Sequence, residues 1–338
     1  MSPLTSNLLF FIHFLEGFVI MNILEVKKAC EEAVANVEKV IFGNSDKIKL
    51  VLAAMLAGGH VLLEDVPGTG KTMLAKAIAR SFNADFSRVQ FTPDLLPSEL
   101  TGINFYNMQS GEFNFRQGSL FANIVLADEI NRATPRTQSG LLESMEERQI
   151  TVDGTTHSLP APYFVIATQN PIETGGTFPL PEAQLDRFLI QLALGYPSSS
   201  QSQLVLKAHV KNEPLSQLEA VCDVQTFLKM QQAVKDVHIS DDVYKYIIEI
   251  VEKTRNHEGI ALGVSTRGML MLARLAQAYC AINGQGFVTP ADIAHLIPYT
   301  FAHKIMLKGG LKNRLELSKN VLEDIVKDVK PPVEDFKA

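Results

Sequence analysis

Apolar residues follow a helical spacing at the start of the chain and again through its second half, whereas the region between contains short, continuous apolar runs. The first helical pattern begins at Asn22, which can cap a helix with Glu25 three residues later, and a second pattern covers Asp46 to Leu56. The continuous runs are typical of strands buried on both faces; they are Val61–Leu63, Asn123–Ala127 and Tyr163–Thr168. Because strands and helices alternate, the pattern predicts an α/β fold whose parallel sheet has helices on both faces.

A change in pattern near residue 195 predicts a boundary between two domains. Tyr196 to Gln203 contains Pro197 and three consecutive serines, which is typical of a linker, and the chain beyond it is helical throughout. We therefore expect an additional N-terminal segment (1–21), an α/β domain (22–195), a linker (196–214), a smaller all-α domain (215–312) and a C-terminal tail (313–338).

Two segments of the α/β domain predict small hairpins inserted between the larger elements. Phe105 to Phe115 alternates aromatic and polar residues around a Ser-Gly turn, and Ile150 to Leu159 contains an Asp-Gly turn. Asp-Gly flanked by such runs is a strong hairpin signal.

The first twenty residues do not fit the pattern of the remaining chain. Leu8 to Ile20 is apolar but only 13 residues long, contains His13 and Glu16, and follows no basic residue. It is too short to span a bilayer and lacks the charged region of a signal peptide. We hypothesise that translation begins at Met21, with a short membrane-surface anchor as the alternative; mass spectrometry of the native N-terminus would distinguish them.

Composition describes an ordinary soluble globular protein, with 46% hydrophobic and 20% charged residues. The net charge of −6 gives no reason to expect a nucleic-acid partner, and we expect no stable membrane insertion. Four basic residues near the C-terminus are a weak candidate patch and fit a solvated face better; they are Lys304, Lys308, Lys312 and Arg314. The three cysteines are far apart, which fits a reducing cytosol and predicts a cytoplasmic protein.

A glycine-rich turn between the strand at Val61–Leu63 and the following helix predicts a nucleotide site. Lys71 begins that helix, where the macrodipole disfavours a cation unless an anion is present. Gly68 and Gly70 allow backbone N–H groups to surround phosphates, Lys71 neutralises them, and Thr72 offers a hydroxyl to Mg²⁺. The pattern is a Walker A loop in which Asp65 replaces the usual first glycine. The expected ATP-binding residues are Pro67, Gly68, Thr69, Gly70, Lys71, Thr72, Met73 and Asp128.

Polar residues end the next two buried strands, where open α/β sheets place their ligands. Asp128 can hold Mg²⁺ together with Thr72, and Glu129 can polarise the attacking water. Asn170 ends a neighbouring strand and can orient the same water, although an Asn-Pro turn is also a common structural device.

Two arginines complete the candidate catalytic set. Arg187 can act as a finger on a neighbour's γ-phosphate, the alternative being a structural ion pair with Asp186. Arg267 lies two residues after the predicted cap Ser265, again where the dipole opposes a cation. A phosphate or a nearby carboxylate would compensate that charge.

The glycine-rich loop, the strand-end residues and the two arginines together resemble an AAA+ ATPase. Four short sequence motifs are similar to the MoxR family. The motifs are Leu63–Gly68 (LEDVPG), Ala127–Ala133 (ADEINRA), Ala167–Pro171 (ATQNP) and Pro181–Phe188 (PEAQLDRF). The resemblance implies an AAA+ core followed by an α-helical lid, with Asn170 as first sensor, Arg187 as finger and Arg267 as second sensor.

The resemblance also implies Mg²⁺-dependent ATP hydrolysis by a hexameric, chaperone-like ring. Such rings remodel or mature protein complexes, often with a partner that carries a von Willebrand factor A domain. A nucleic-acid motor of the helicase or clamp-loader kind and a metal-chelatase motor subunit are the alternatives, because both share the core.

Overall fold

A five-stranded parallel sheet lies at the centre of the fold, in the order β2-β5-β8-β1-β9. The structure is a computed structural model and describes residues 21–170, 176–211, 213–309 and 314–332. The strands are β1 (Val61–Glu64), β2 (Phe86–Gln90), β3 (Ile103–Asn107), β4 (Glu112–Arg116), β5 (Ile124–Asp128), β6 (Gln149–Val152), β7 (Thr155–Ser158), β8 (Phe164–Gln169), β9 (Ile190–Leu192), β10 (Ile260–Leu262) and β11 (Met306–Leu307). The pairs β3–β4 and β6–β7 are the two predicted hairpins.

The helices begin largely where the sequence predicts them. They are α1 (Ile23–Glu38), α2 (Ser45–Leu56), α3 (Lys71–Ser81), α4 (Pro97–Thr101), α5 (Pro135–Glu147), α6 (Glu182–Leu185), α7 (Ser199–Lys211), α8 (Val224–Ala233), α9 (Asp241–Asn256), α10 (Thr266–Ile282), α11 (Pro290–Phe301) and α12 (Arg314–Asp328). At α1 the predicted capping box forms, since Glu25 N donates to Asn22 Oδ1 at 2.9 Å and Asn22 N to Glu25 Oε2 at 2.7 Å.

Side chains of the sheet alternate between two apolar cores. In β8, Phe164 and Ile166 belong to one core, and Val165 and Ala167 belong to the other. Helix α3 covers the first face, while α5 covers the second with Leu141, Leu142 and Met145. The predicted parallel sheet with helices on both faces is therefore confirmed.

The helical second half of the chain packs against α1 and α2 and shares their core. Leu272 and Leu275 of α10 lie in the same buried cluster as Val26 of α1 and Ile48 of α2. The predicted helical lid is confirmed, with a short antiparallel β10–β11 pair as an addition.

The structure differs from the predicted segment boundaries at two places. Helix α7 occupies most of 196–214, the segment expected to be a linker. Helix α12 lies in the expected tail, and its Leu322 and Ile325 are buried in the core shared with the lid. The hypothesis about Met21 concerns residues 1–20, which lie outside the described ranges. In the part of the chain that is described, no helix combines the length and apolar character needed to cross a membrane.

Candidate functional site

Three neighbouring strands end at one edge of the sheet with the polar residues that the sequence singled out. Strand β8 lies between β1 and β5, pairing Leu63 with Thr168 and Ala127 with Ala167. Parallel strands are about 4.8 Å apart, so the ends of β1 and β5 are separated by about 10 Å. The glycine-rich loop, Asn170 and the pair Asp128-Glu129 therefore lie together at one edge of the sheet.

The glycine-rich loop has the backbone geometry of a phosphate cradle. Gly70 caps α3 with φ 92° and no side-chain cap, and the first turn of α3 contains no acidic residue. Gly68 has φ 84°, and a Cβ built on it would meet no atom within 4 Å. An open concavity at an uncapped helix N-terminus fits the triphosphate of a nucleotide.

Lys71 and Asp65 stabilise the two ends of this loop. Lys71 Nζ donates to the carbonyl oxygens of Asp65 at 2.8 Å and Val66 at 3.4 Å, so the ammonium already faces the loop. Asp65 is buried, and its carboxylate accepts from the backbone N–H of Val66 at 3.0 Å and of Gly195 at 2.8 Å. The residue that replaces the usual glycine thus ties the loop to the chain after β9.

Asp128 has a carboxylate that fits the predicted magnesium role. Thr168 Oγ1 donates to Asp128 Oδ1 at 2.7 Å, and Arg88 lies 2.8 Å from Oδ2. These partners orient the carboxylate at the strand end, and carboxylate oxygens are ligands that a hard cation such as Mg²⁺ prefers. Thr72, the other expected ligand, lies in the first turn of α3 at the same edge.

Glu129 is held in an unusual backbone conformation next to Asp128. Its φ of 56° and ψ of 51° are left-handed values, which a residue other than glycine adopts at a cost in strain. Its N–H donates to Thr168 Oγ1 at 2.8 Å, and its carboxylate accepts from Gln90 Nε2 at 2.8 Å and Arg132 Nη1 at 3.1 Å. Two neighbours therefore orient the carboxylate, and Thr168 holds the backbone. Asn170, at the end of β8, is buried between the loop and this pair.

Arg187 and Arg267 lie together at the opposite edge of the sheet. Both line a cavity of about 420 Å³ with Gly58, Gly59 and His60, which precede β1. The loop follows β1, whose four residues at about 3.3 Å each span about 13 Å. The two arginines are thus separated from the phosphate cradle of their own subunit by the length of a strand.

Glu146 joins the two arginines. Arg187 Nε lies 3.2 Å from Glu146 Oε2, and Arg267 Nη2 pairs with Glu146 Oε1. A carboxylate thus compensates Arg267, one of the two possibilities that the sequence left open. The pairing of Arg187 with Asp186 that we considered is replaced by this one. Sequence reasoning missed Glu146, although an acidic residue in the last turn of a helix is itself disfavoured by the dipole and indicates nearby cations.

Two buried basic residues adjoin the same cavity. Val165 N donates to His60 Nδ1 at 3.0 Å, so Nε2 carries the proton and donates to the Met145 carbonyl at 3.0 Å. Burial lowers the pKa of His60 to about 3, with Arg148 adding to the effect. Lys304 is also buried, which contradicts both the surface patch and the solvated face expected for it. Lys312 lies outside the described residues.

Comparison with known proteins agrees with this architecture. The profile of the ATPase family associated with various cellular activities (AAA) matches residues 60–190, and that of the AAA lid domain matches residues 252–329. A solved structure of a putative ATPase from Cytophaga hutchinsonii superposes with a TM-score of 0.83 at 35% identity, covering 92% of this chain and 97% of that one. The fold and these matches define an AAA+ ATPase with a helical lid.

Two relatives of similar sequence identify the family to which the chain belongs within this class. The chain is 50% identical over 303 residues to the uncharacterized protein YeaC of Bacillus subtilis, covering 90% of this chain and 95% of that protein. It is 36% identical over 286 residues to the chaperone MoxR1 of Mycobacterium tuberculosis, covering 82% and 75% respectively. The chain belongs to the MoxR family of AAA+ ATPases.

Proposed function

We propose that the protein hydrolyses ATP with Mg²⁺ and that each complete site is formed by two subunits. One subunit contributes the cradle Gly68–Thr72, whose backbone N–H groups and Lys71 bind the phosphates. Thr72 and Asp128 would hold Mg²⁺, which neutralises charge on the phosphates when it is bound. ATPase family membership supports nucleotide binding in general.

Glu129 and Asn170 are the proposed water-handling residues. The Glu129 carboxylate, held by Gln90 and Arg132, takes a proton from water as it attacks, and Asn170 orients that water. Their support is positional, since Glu129 follows β5 and Asn170 follows β8, which lies between β5 and the loop.

The neighbouring subunit supplies Arg187 and Arg267 in this proposal. The observation that carries it is their location at the edge of the sheet opposite the cradle. A guanidinium there cannot reach a phosphate held by its own subunit without a rearrangement of the domain. In a head-to-tail ring this edge faces the next subunit's nucleotide, which makes Arg187 a finger and Arg267 a second sensor in trans.

We further propose that a homo-hexameric ring uses this hydrolysis to remodel or mature a protein complex in the cytoplasm. The name of the relative MoxR1 supports a chaperone role, and a partner with a von Willebrand factor A domain is the expected recruiting factor. The free thiols Cys30, Cys222 and Cys280 support a reducing compartment.

Light scattering together with the ATPase rate of the purified full chain tests this proposal. ATP-dependent growth to about six subunits, with turnover indifferent to DNA, is the expected result. Strong stimulation by DNA or RNA would instead favour a nucleic-acid motor. Activity only with a tetrapyrrole-handling partner would favour a chelatase motor.

A further inference from the structure

Lys304 has a charged side chain that is enclosed at the junction between the α/β domain and the lid. It follows α11 in the apolar run Phe301–Leu307, and its side chain has no solvent exposure. The ammonium donates to the carbonyl oxygens of Asp186, at 2.8 Å, and Phe188, and lies 3.5 Å from Met271 Sδ. An ammonium has three protons, so these contacts fix its position completely.

Enclosing this charge is unfavourable by itself. Burial lowers the pKa of Lys304 to about 8, although Asp186, whose Oδ1 lies 3.7 Å away, opposes that shift. A buried charge persists only where its partners hold it with good geometry. The contacts to Asp186, Phe188 and Met271 are therefore what keeps the charge of Lys304 at this junction.

The backbone that Lys304 holds is the segment that presents Arg187. Asp186 and Phe188 flank the arginine, and both of their carbonyl oxygens bond to the Lys304 ammonium. His303 Nε2 lies 3.1 Å from the Phe188 carbonyl oxygen, and the Phe188 ring is buried. Residues of the lid thus hydrogen-bond to the backbone on both sides of Arg187.

Asp186 extends the same network to Arg267. Ser265 Oγ donates to the Asp186 carboxylate, at 2.9 Å from Oδ2, and accepts from Gly268 N at 2.9 Å as the N-cap of α10. Arg267 is the second residue of that helix. One buried ammonium and one carboxylate therefore orient both arginines.

We propose that Lys304 is a positioning residue that fixes Arg187 and Arg267 as one rigid unit for action on the neighbouring subunit's nucleotide. The inference rests on the proposed function, because it concerns the arginines that act in trans. Each site in the proposed ring has two halves: the donor half, which is Arg187 and Arg267 of one subunit, and the binding half, which is the loop Gly68–Thr72 of its neighbour. The inference places Lys304 in the donor half.

Lys304→Met tests this assignment, with the exposed Lys308→Met as matched control. Methionine matches the lysine side chain as far as Cε but lacks the ammonium. The Asp186 carbonyl oxygen therefore loses its Lys304 donor, and the Phe188 carbonyl oxygen keeps only His303 as a partner. Misplacing a positioned group by about 1 Å costs on the order of 100-fold, so we expect kcat to fall by roughly 10- to 100-fold. ATP binding to the variant's own loop is measured alongside and should remain near that of the wild type. A cooperative melting transition shows that the variant is folded, at a midpoint lowered by the lost buried contacts. Lys308→Met should keep wild-type turnover.

Mixed rings decide which half of the site is affected. A Glu129→Gln subunit has a defective water-handling site but supplies intact arginines, so mixing it with Lys304→Met should restore turnover. Mixing Lys304→Met with Arg187→Ala should restore nothing, because both lack a competent donor half. If Lys304→Met does not fold, the partly buried Ser265→Ala removes the hydrogen bonds between the Asp186 carboxylate and the start of α10, and mixing it with Glu129→Gln tests the same arginine unit.

Three outcomes of these experiments would overturn the inference, and they can be distinguished from one another. If a folded, ATP-binding Lys304→Met variant is not restored by Glu129→Gln in demonstrably mixed rings, Lys304 does not act through the donor half. If Lys304→Met turns over like the wild type while Arg187→Ala is inactive, the inference fails and the proposed function stands. If Arg187→Ala itself keeps wild-type turnover, the proposed trans finger fails and this inference fails with it.

Discussion

Glu129 combines a left-handed backbone with a side chain held by Gln90 and Arg132, and this combination limits what a substitution changes. Glutamine at this position keeps the size of the side chain and an oxygen for those donors but cannot take a proton from water. We expect Glu129→Gln to bind ATP and to lose turnover by at least about 100-fold. Equilibrium binding and steady-state hydrolysis measure the two effects, with the exposed Glu143→Gln as control. Near wild-type turnover would refute Glu129 as the base.

His60 makes stability depend on pH in a direction that the structure fixes. Its pKa is lowered from 6.5 to about 3 in the folded chain, chiefly by burial. Between these values the unfolded chain binds a proton that the folded chain does not, so stability is lost as the pH falls. Between pH 7.5 and pH 5 this amounts to about 2 kcal/mol, at 1.36 kcal/mol per unit.

Denaturant titrations of wild type and His60→Gln at the two pH values measure that contribution. The difference in unfolding free energy between them should shrink by about 2 kcal/mol at pH 5, because the variant has no imidazole to protonate. The exposed His238→Gln is titrated in the same way as the matched control. A constant difference for His60→Gln would mean that His60 is charged in the folded protein.

Residues that act through a local motif could be predicted from the sequence, whereas residues that act through distant contacts could not. Lys71 and Thr72 follow from five consecutive residues between a strand and a helix. Glu146 and Lys304 depend on partners 121 and 118 positions away, and no local pattern specifies which cation meets which carboxylate. The local sequence contains one signal for Lys304: the pair His303-Lys304 is surrounded by apolar residues. Such surroundings indicate a buried position, whereas we expected a solvated face.

At the scale of elements, the apolar pattern predicted the site strands β1, β5 and β8 but misplaced the lid's end. Strand β9 is three residues long and was missed, because so short a run carries no periodic signal. Helix α12 lies beyond a segment rich in glycine and lysine, and its apolar positions are sparse. Helix α12 belongs to the fold because its few apolar residues, such as Leu322 and Ile325, are buried against distant parts of the chain.

Leu322 of α12 tests whether this helix belongs to the folded core. The side chain is fully buried against the lid, so Leu322→Ala should leave a cavity and lower the free energy of unfolding by about 2 to 5 kcal/mol. Glu323→Ala, one position along and exposed, should change it by less than about 0.5 kcal/mol. Chemical denaturation of the full chain gives both numbers. If both variants change the free energy of unfolding equally, α12 is a tail that does not belong to the folded core.

The whole molecule separates its two half-sites by the length of the parallel sheet. The ends of β1, β8 and β5 carry the proposed binding and water-handling residues, and the opposite edge carries both arginines with Glu146 between them. The helices α1 and α2 share one buried core with the lid helices. In the proposed ring, each subunit would therefore donate arginines at one edge and bind nucleotide at the other.

This division predicts how Arg267 behaves in mixed rings. Arg187→Ala and Arg267→Ala should each lose most turnover, and each should regain it when mixed with Glu129→Gln, because that subunit offers intact arginines to its neighbour. Mixing the two arginine variants with each other should restore nothing, since every interface then lacks one arginine. Hydrolysis per subunit, with mixing verified by differently tagged chains, measures the result. Recovery in the Arg187→Ala with Arg267→Ala mixture would mean that Arg267 serves the nucleotide of its own subunit, which requires the lid to rotate across the edge of the sheet.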